Sequence, residues 1–336
     1  MITLEHDRLV FRFPEVHEDA VCRIDFQRTL RIPDDGKDYP LPPGLGSFPL
    51  RHLDDHASRV PESWRKRGGV MLPMYQAEAM WLHFGANGWR HGDGYPFAVK
   101  IGTGKINAVT GEGWSNHLNR DPQDYLVVPK QPWLDGYCVE KGVIRQFVAM
   151  PLGDGSSVEE QLTGEAEWGG VQIAVYPMKA ERYEALVKAR RGFGDVHCVR
   201  FSLAREPAMG LSAGGRMKQE VYEDQYELTD YDQRHGSRCF VTILNSAAWL
   251  AATGERPPAQ PPSAKDYTKA GLPWFDYYAA DAKALGGAGI LGKVKSLAQL
   301  TKFGGKAPAD VDESIAVENV MTLGASPTAQ VREAEL

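Results

Sequence analysis

Residues 143–178 read VIRQFVAMPLGDGSSVEEQLTGEAEWGGVQIAVYPM, and how this stretch divides decides the fold class. VIRQFVAMPL and GGVQIAVYPM alternate as strands do, and SVEEQLTG between them reads as a third strand set off by two tight turns. Side chains of a strand point alternately to its two faces. Val143, Arg145, Phe147 and Ala149 therefore share one face, and Ile144, Gln146, Val148 and Met150 the other. Both faces are mostly apolar, which implies a sheet covered on both sides. An arginine and a glutamine in such a strand lose water and need partners. Glu159, Glu160, Gln161 and Thr163 are at hand. Arg145, Gln146, Glu160, Gln161 and Gln172 are accordingly expected to form one polar network, the candidate binding site.

Outward from this stretch the chain stays rich in β signals. Leu9, Phe11 and Phe13, then Val21, Ile24, Phe26, Leu30 and Ile32, mark two or three strands closed by prolines. YPFAVKIGTGKINAVTG alternates cleanly around GTG and predicts a hairpin or bulge. Strands are also expected at 196–203, 218–228 and 239–244, and helices at 61–67 and 180–191. Over 70–84 the signals conflict: VMLPMY suits a strand ending at Pro73, while Met74, Ala77, Met80 and Trp81 recur at helical spacing. With 35 glycines and 22 prolines in 336 residues, many short strands are favoured over long helices. The expected fold is mainly β (α+β), an antiparallel β-sandwich-like core with a small C-terminal helical annex.

Residues 254–264, GERPPAQPPSA, contain four prolines and read as an extended linker after a core spanning 1–253. The annex, 265–303, is expected to hold a helix beginning near Pro273 and stopping at Gly286-Gly287, then a second one in GILGKVKSLAQLTKF. The aromatic run Trp274–Tyr278 would dock it on the core. Residues 304–336 form a polar, acidic tail, either disordered or adding a strand to a neighbour.

A net charge of −6 removes the general pull toward nucleic acid, and no run reaches membrane-spanning length. The start ITLEHDRLVFRF lacks the features of a signal peptide, and Cys22, Cys138, Cys198 and Cys239 have no paired spacing. A cytoplasmic protein with reduced thiols is expected.

Each chemical motif has a plainer reading beside it. His52 and His56 stand at i and i+4, but no third metal ligand is identified, so surface histidines beside acids fit as well. His197, Cys198, His235 and Cys239 have zinc-type side chains, yet neighbours on a strand diverge. Cys138 reads as a packed thiol, and GTGKIN as a hairpin turn without the phosphate-loop spacing. No metal and no cofactor is implied. Among the carboxylates Glu78, Asp135, Glu159, Glu160 and Glu165, a pair held in one cleft would do acid–base work, and pairing with Arg145, Lys100 or Lys105 would explain them without a substrate.

The segments GLGSFPL (44–50), QPWLDG (131–136), RQFVAMPLG, VEEQLTGE with GGVQI, and AGLPWFDYY (270–278) resemble those of a family of uncharacterised bacterial proteins with fungal relatives, over most of residues 1–300. The resemblance implies a stand-alone cytoplasmic protein and transfers no reaction, cofactor or catalytic residue. The functional expectation is a non-catalytic scaffold or binding protein that associates with itself or another protein. The alternative is a hydrolase using Asp135, Glu159 or Glu165, in pairs or with a histidine, in a cleft near residues 131–165. A third reading, sugar or peptide binding at a sheet edge, would draw on Trp89, Trp114, Trp133 and Trp168.

Overall fold

The computed structural model describes residues 1–87, 94–190, 209–277, 282–301 and 314–323. Among them, ten strands form a large sheet: β1 (Ile2–Leu4), β2 (Arg8–Arg12), β3 (Val21–Thr29), β4 (Asp38–Tyr39), β5 (Gly44–Ser47), β8 (Ala79–Ala86), β12 (Trp133–Leu134), β13 (Gly136–Glu140), β14 (Val143–Pro151) and β16 (Met209–Lys218). Seven form a second sheet: β6 (Arg51–His52), β7 (Val70–Pro73), β9 (Phe97–Thr103), β10 (Ile106–Asn107), β11 (Leu126–Val128), β15 (Val171–Pro177) and β17 (Ser237–Leu244). β18 (Trp274–Tyr277) and β19 (Val320–Leu323) pair in parallel. The helices are short: α1 (Glu62–Arg67), α2 (Val158–Thr163), α3 (Ala180–Arg190), α4 (Ser246–Thr253), α5 (Ala264–Lys269), α6 (Gly289–Lys293) and α7 (Leu297–Thr301).

The two large sheets share one core, as a mainly β sandwich must. Phe11, Ile24, Phe26, Phe84 and Phe147 from the ten-stranded sheet meet Phe97, Ile101, Ile173, Val241 and Ile243 from the other, and all are buried. The order β1-β2-β3-β8-β14-β16-β4 is antiparallel except at its last pair, and the order β10-β9-β15-β17-β7-β6 is antiparallel except where β17 meets β7. In the β9–β10 hairpin Thr103 faces Ile106 across Gly104 and Lys105, whose φ of 54° and 59° define a left-handed two-residue turn.

The stretch 143–178 departs from its reading. Its outer segments are β14 and β15, but they lie in different sheets, and VEEQLT between them is helix α2. The local signal is the capping box: Ser157 accepts from the Glu160 amide, and the Glu160 carboxylate accepts from the Ser157 amide. Residues 79–86 are strand β8, whose Met80, Leu82 and Phe84 point into the core. The run at 274–277 is also a strand, where a helix was expected; Leu41 and Phe275 exchange both backbone hydrogen bonds, so β18 is anchored to the core on one side. GILGKVKSLAQLT forms two helical turns, α6 and α7, and 219–227 follows β16 as irregular chain. The strand expected at 196–203 lies outside the described residues.

The C-terminal elements cover much of the large sheet's outer face. Trp274 packs with Leu30, Ile32, Ile144 and Met217, and Leu297 with Ala79, Val148 and Met150. Leu291 and Val294 join the main core. The proline-rich segment is tied down by Arg28 and Tyr75, which donate to the Ala259 and Pro258 carbonyls at 2.8 Å each. No helix among the described residues is long and apolar enough to cross a membrane.

Gly136 pairs with Gln146 where β13 runs beside β14, and any side chain there would overlap the Arg145 carbonyl. Gly136→Ala is expected to lower unfolding free energy by more than about 2 kcal/mol in urea titration, since the backbone itself would have to move. A loss within 0.5 kcal/mol, the range of an ordinary surface substitution, would show that the strands are not in this register.

Candidate functional site

The five residues expected to form one network are dispersed, and four of them answer different pieces of backbone. Fully buried Gln146 donates to the Leu30 carbonyl at 2.8 Å and accepts from the Ile32 amide at 3.1 Å, fastening the chain beyond β3 over β14. Glu160 closes the cap of α2 and also accepts from Gly153 and Gly155 at 2.8 Å. Gln161 spans to the C-terminal segment, donating to the Lys295 carbonyl at 2.9 Å and accepting from its amide at 2.8 Å. Gln172 bridges the Lys105 amide and the Gly169 carbonyl. Arg145 is buried, and neither its Nε nor its Nη1 has a hydrogen-bond partner. Burial pushes its guanidinium pKa down, against the attraction of Asp34.

The carboxylates of the hydrolase alternative are not gathered either. Glu159 is buried and accepts from three successive amides, those of Glu167, Trp168 and Gly169, at 3.0, 2.7 and 2.7 Å. Its oxygens fill the space beside Gly104 that a side chain would need. Glu165 is exposed. Asp135 is buried against Gln219, whose side-chain amide donates to Oδ2 and whose Oε1 accepts from the Asp135 amide at 2.9 Å. Burial pushes its pKa up to about 7. Glu78, buried with Arg28 Nε at 2.6 Å, is also pushed up to about 7 by burial, which outweighs the arginine. Lys100 donates to Asp124 at 2.6 Å, and Lys105 lies 3.3 Å from the Trp168 ring centroid, so neither answers these acids.

The remaining motifs resolve simply. His52 lies in β6 and His56 in a 3-10 turn at 54–56, off any shared helix face. His235 is bonded to Asp232 at 2.7 Å, and Cys239 is half-buried, its thiol pKa pushed up to about 12 by burial; His197 and Cys198 lie outside the described residues. No group of three metal-ligating side chains is found among the described residues. GLSAG at 210–214 fits the G-x-S-x-G pattern of serine hydrolases, which corrects the reading that the sequence holds no such pattern. That pattern needs a sharp strand-to-helix turn, whereas Ser212 lies inside β16, fully buried, donating to the Ser156 carbonyl at 2.8 Å.

One constellation was missed. On the outer face of the large sheet, Asp25 of β3 is buried between Arg8 of β2, which donates to Oδ1, and His83 of β8, whose Nδ1 donates to Oδ2 at 3.0 Å. Trp81 stands edge-on to His83 and, at 6.4 Å, to Trp133 of the QPWLDG segment; Trp133 meets Tyr277 of β18 at 4.7 Å. All four rings are partly exposed. The signal lay in AMWLHFG, where Trp81, His83 and Gly85 alternate with core residues, and the conflicting helical spacing hid it. Of the tryptophans considered for a surface row, Trp133 belongs to this one, Trp114 and Trp168 lie under Lys100 and Lys105, and Trp89 is outside the described residues.

Gln146→Leu would orphan one buried carbonyl and one buried amide, and is expected to cost about 2–3 kcal/mol in chemical denaturation. A cost under 0.5 kcal/mol would mean that water replaces it. Asp135 and Glu78 hold protons in the native state that the unfolded chain, with values near 3.8 and 4.5, releases. Stability contributed by this difference is therefore complete below about pH 4, falls as pH rises and is lost above about pH 7. Asp135→Asn keeps an acceptor for Gln219, and is expected to be more stable than the parent at pH 8 and to show a shallower decline between pH 5 and 8. Parallel profiles would refute the raised value. Comparison of the chain with protein-family models, curated proteins and solved structures returned no match.

Proposed function

We propose that this chain is a non-catalytic cytoplasmic scaffold or binding protein that associates with further copies of itself through its C-terminal strand. The observation that carries the reading is β19. Val320, Met321 and Leu323 are 41%, 54% and 40% exposed, so that both faces carry open apolar side chains on a strand whose one described neighbour is β18. An unpaired edge with apolar side chains is a template for another strand, and chains that do not use such edges protect them with charge, proline or cover. Leu272, two residues before the β18 strand that pairs with it, is 45% exposed as well.

The internal engagement of the candidate acids also favours binding over hydrolysis. Glu159 is saturated by backbone amide donors, Asp135 accepts from the Gln219 side-chain amide, and among the described residues no histidine is hydrogen-bonded to them or to Glu165. A cytoplasmic setting is favoured by Cys22, Cys138 and Cys239, which are free thiols.

Light scattering tests the reading. The full chain is expected at a multiple of its 37.2 kDa mass, and a chain lacking residues 304–336 at the mass of one copy. Met321→Lys, a change at an exposed position, should act like the truncation. Equal masses for all three would remove β19 as the contact.

A further inference from the structure

The outer face of the large sheet between β2 and β12 carries groups that self-association through β19 leaves unused. Three arginines lie close together there, and two are matched: Arg8 by Asp25, and Arg12 by Glu5 through paired contacts of 2.7 and 3.0 Å. Arg23 of β3 is left over. It donates to Asn87 Oδ1 at 2.6 Å, and no carboxylate among the described residues forms an ion pair with it. Burial and the neighbouring Arg12 and Arg8 push its pKa down, as expected for a cation in a field of excess positive charge; half-buried Glu5 offsets this only in part.

The position opposite Arg23 on β8 is Gly85. A side chain there would point outward with Trp81 and His83, and among the described residues its first carbon would meet nothing nearer than Arg23 Cβ at 3.9 Å. Among the described residues the sheet therefore has an open floor bordered by Arg23, Asn87 and His83. Because His83 donates Nδ1 to Asp25, its Nε2 remains to meet a ligand, and its side chain is 31% exposed. Beyond it stand Trp81, Trp133 and Tyr277, rings set at 74° and 64° to one another. Two residues of strand, about 7 Å, separate the His83 and Gly85 positions, the reach of one ribose.

We propose that this face binds a nucleoside monophosphate, its base against Trp81, Trp133 and Tyr277 and its phosphate on Arg23 over Gly85. Aromatic side chains offer a heterocycle stacking worth about 1–3 kcal/mol per base, and an unmatched arginine offers phosphate a charge-assisted fork. A sugar without an anion would leave Arg23 unanswered. A polynucleotide would face a chain whose net charge is −6.

Calorimetric titration of the full chain with AMP, adenosine and inorganic phosphate tests the assignment. AMP is expected to bind at least tenfold more tightly than either fragment. Arg23→Gln, Gly85→Leu and Trp133→Leu should each weaken AMP at least tenfold, Arg23→Gln sparing adenosine. Gly85→Leu blocks the floor without removing a charge or a ring, and unchanged thermal unfolding of Arg23→Gln and Gly85→Leu keeps the result independent of folding. No heat with AMP at millimolar concentration, or AMP binding untouched by these two variants, would overturn the proposal. Binding of single-stranded oligodeoxyadenylate a hundredfold tighter than AMP would also overturn it, in favour of a polynucleotide.

Discussion

The structure depends on side-chain amides standing in for peptide groups wherever the chain leaves its sheets inside the molecule. A glutamine or asparagine offers one carbonyl and one NH2, the same donor and acceptor a neighbouring strand would supply. Gln146 does this for residues 30–32, Gln131 for Trp133, Glu220 and Tyr222, and Gln123 for Tyr125, Tyr222 and Asp224. Asn107 does it within one loop, accepting from the Val109 and Thr110 amides and donating to the Asp124 carbonyl. The irregular segment after β16 is thereby buried without a ladder: Val221, Tyr222, Asp224 and Tyr226 are all nearly inaccessible. Each bond is worth only about 1 kcal/mol net, but an orphaned buried peptide group costs about 1–3 kcal/mol, so it is the absence of these side chains that the fold cannot tolerate.

The same logic accounts for how the buried acids are accommodated. A carboxylate accepting three amides, as Glu159 does, has its lone pairs occupied in holding the 165–170 loop against the β9–β10 turn. Asp135 takes the other route open to a buried acid, a raised pKa, with the Gln219 side-chain amide donating to Oδ2. A catalytic acid needs one face open to a substrate proton. In Glu159 both oxygens are already taken by backbone amides.

Where regular structure was decided by alternation, the sequence was readable: the apolar periods of 9–13, 97–103 and 171–177 became β2, β9 and β15, and the glycine turn at 104 became a hairpin. It failed where a local signal contradicted the wider pattern. The Ser157–Glu160 capping box outranked the strand-like spacing of VEEQLTG, and β8 was obscured because Met74, Ala77, Met80 and Trp81 also satisfy a helical period. The amide clamps were the least legible element, because the partners of Gln146 lie 114 and 116 residues away. Polar residues in an apolar strand told of burial and of the need for partners; they did not tell that the partners would be backbone.

That distinction separates the two halves of the large sheet's outer face. Over β14 and β16 the polar groups are covered by Leu30, Ile32 and Trp274, and Gln146 is consumed in holding that cover. Over β3 and β8 no clamp of this kind is found among the described residues. Gln27 reaches Ser47, Asp25 is shared by Arg8 and His83, and Gly85 leaves its place open, so the side chains there bind one another and leave the strand of chain above them to be supplied by something else. Tyr277 marks the border, since it continues the β18 strand that carries fully buried Trp274 and ends beside half-exposed Trp133. A face closed by its own chain on one side of that border and floored by a glycine on the other is organised for a ligand smaller than a covering strand.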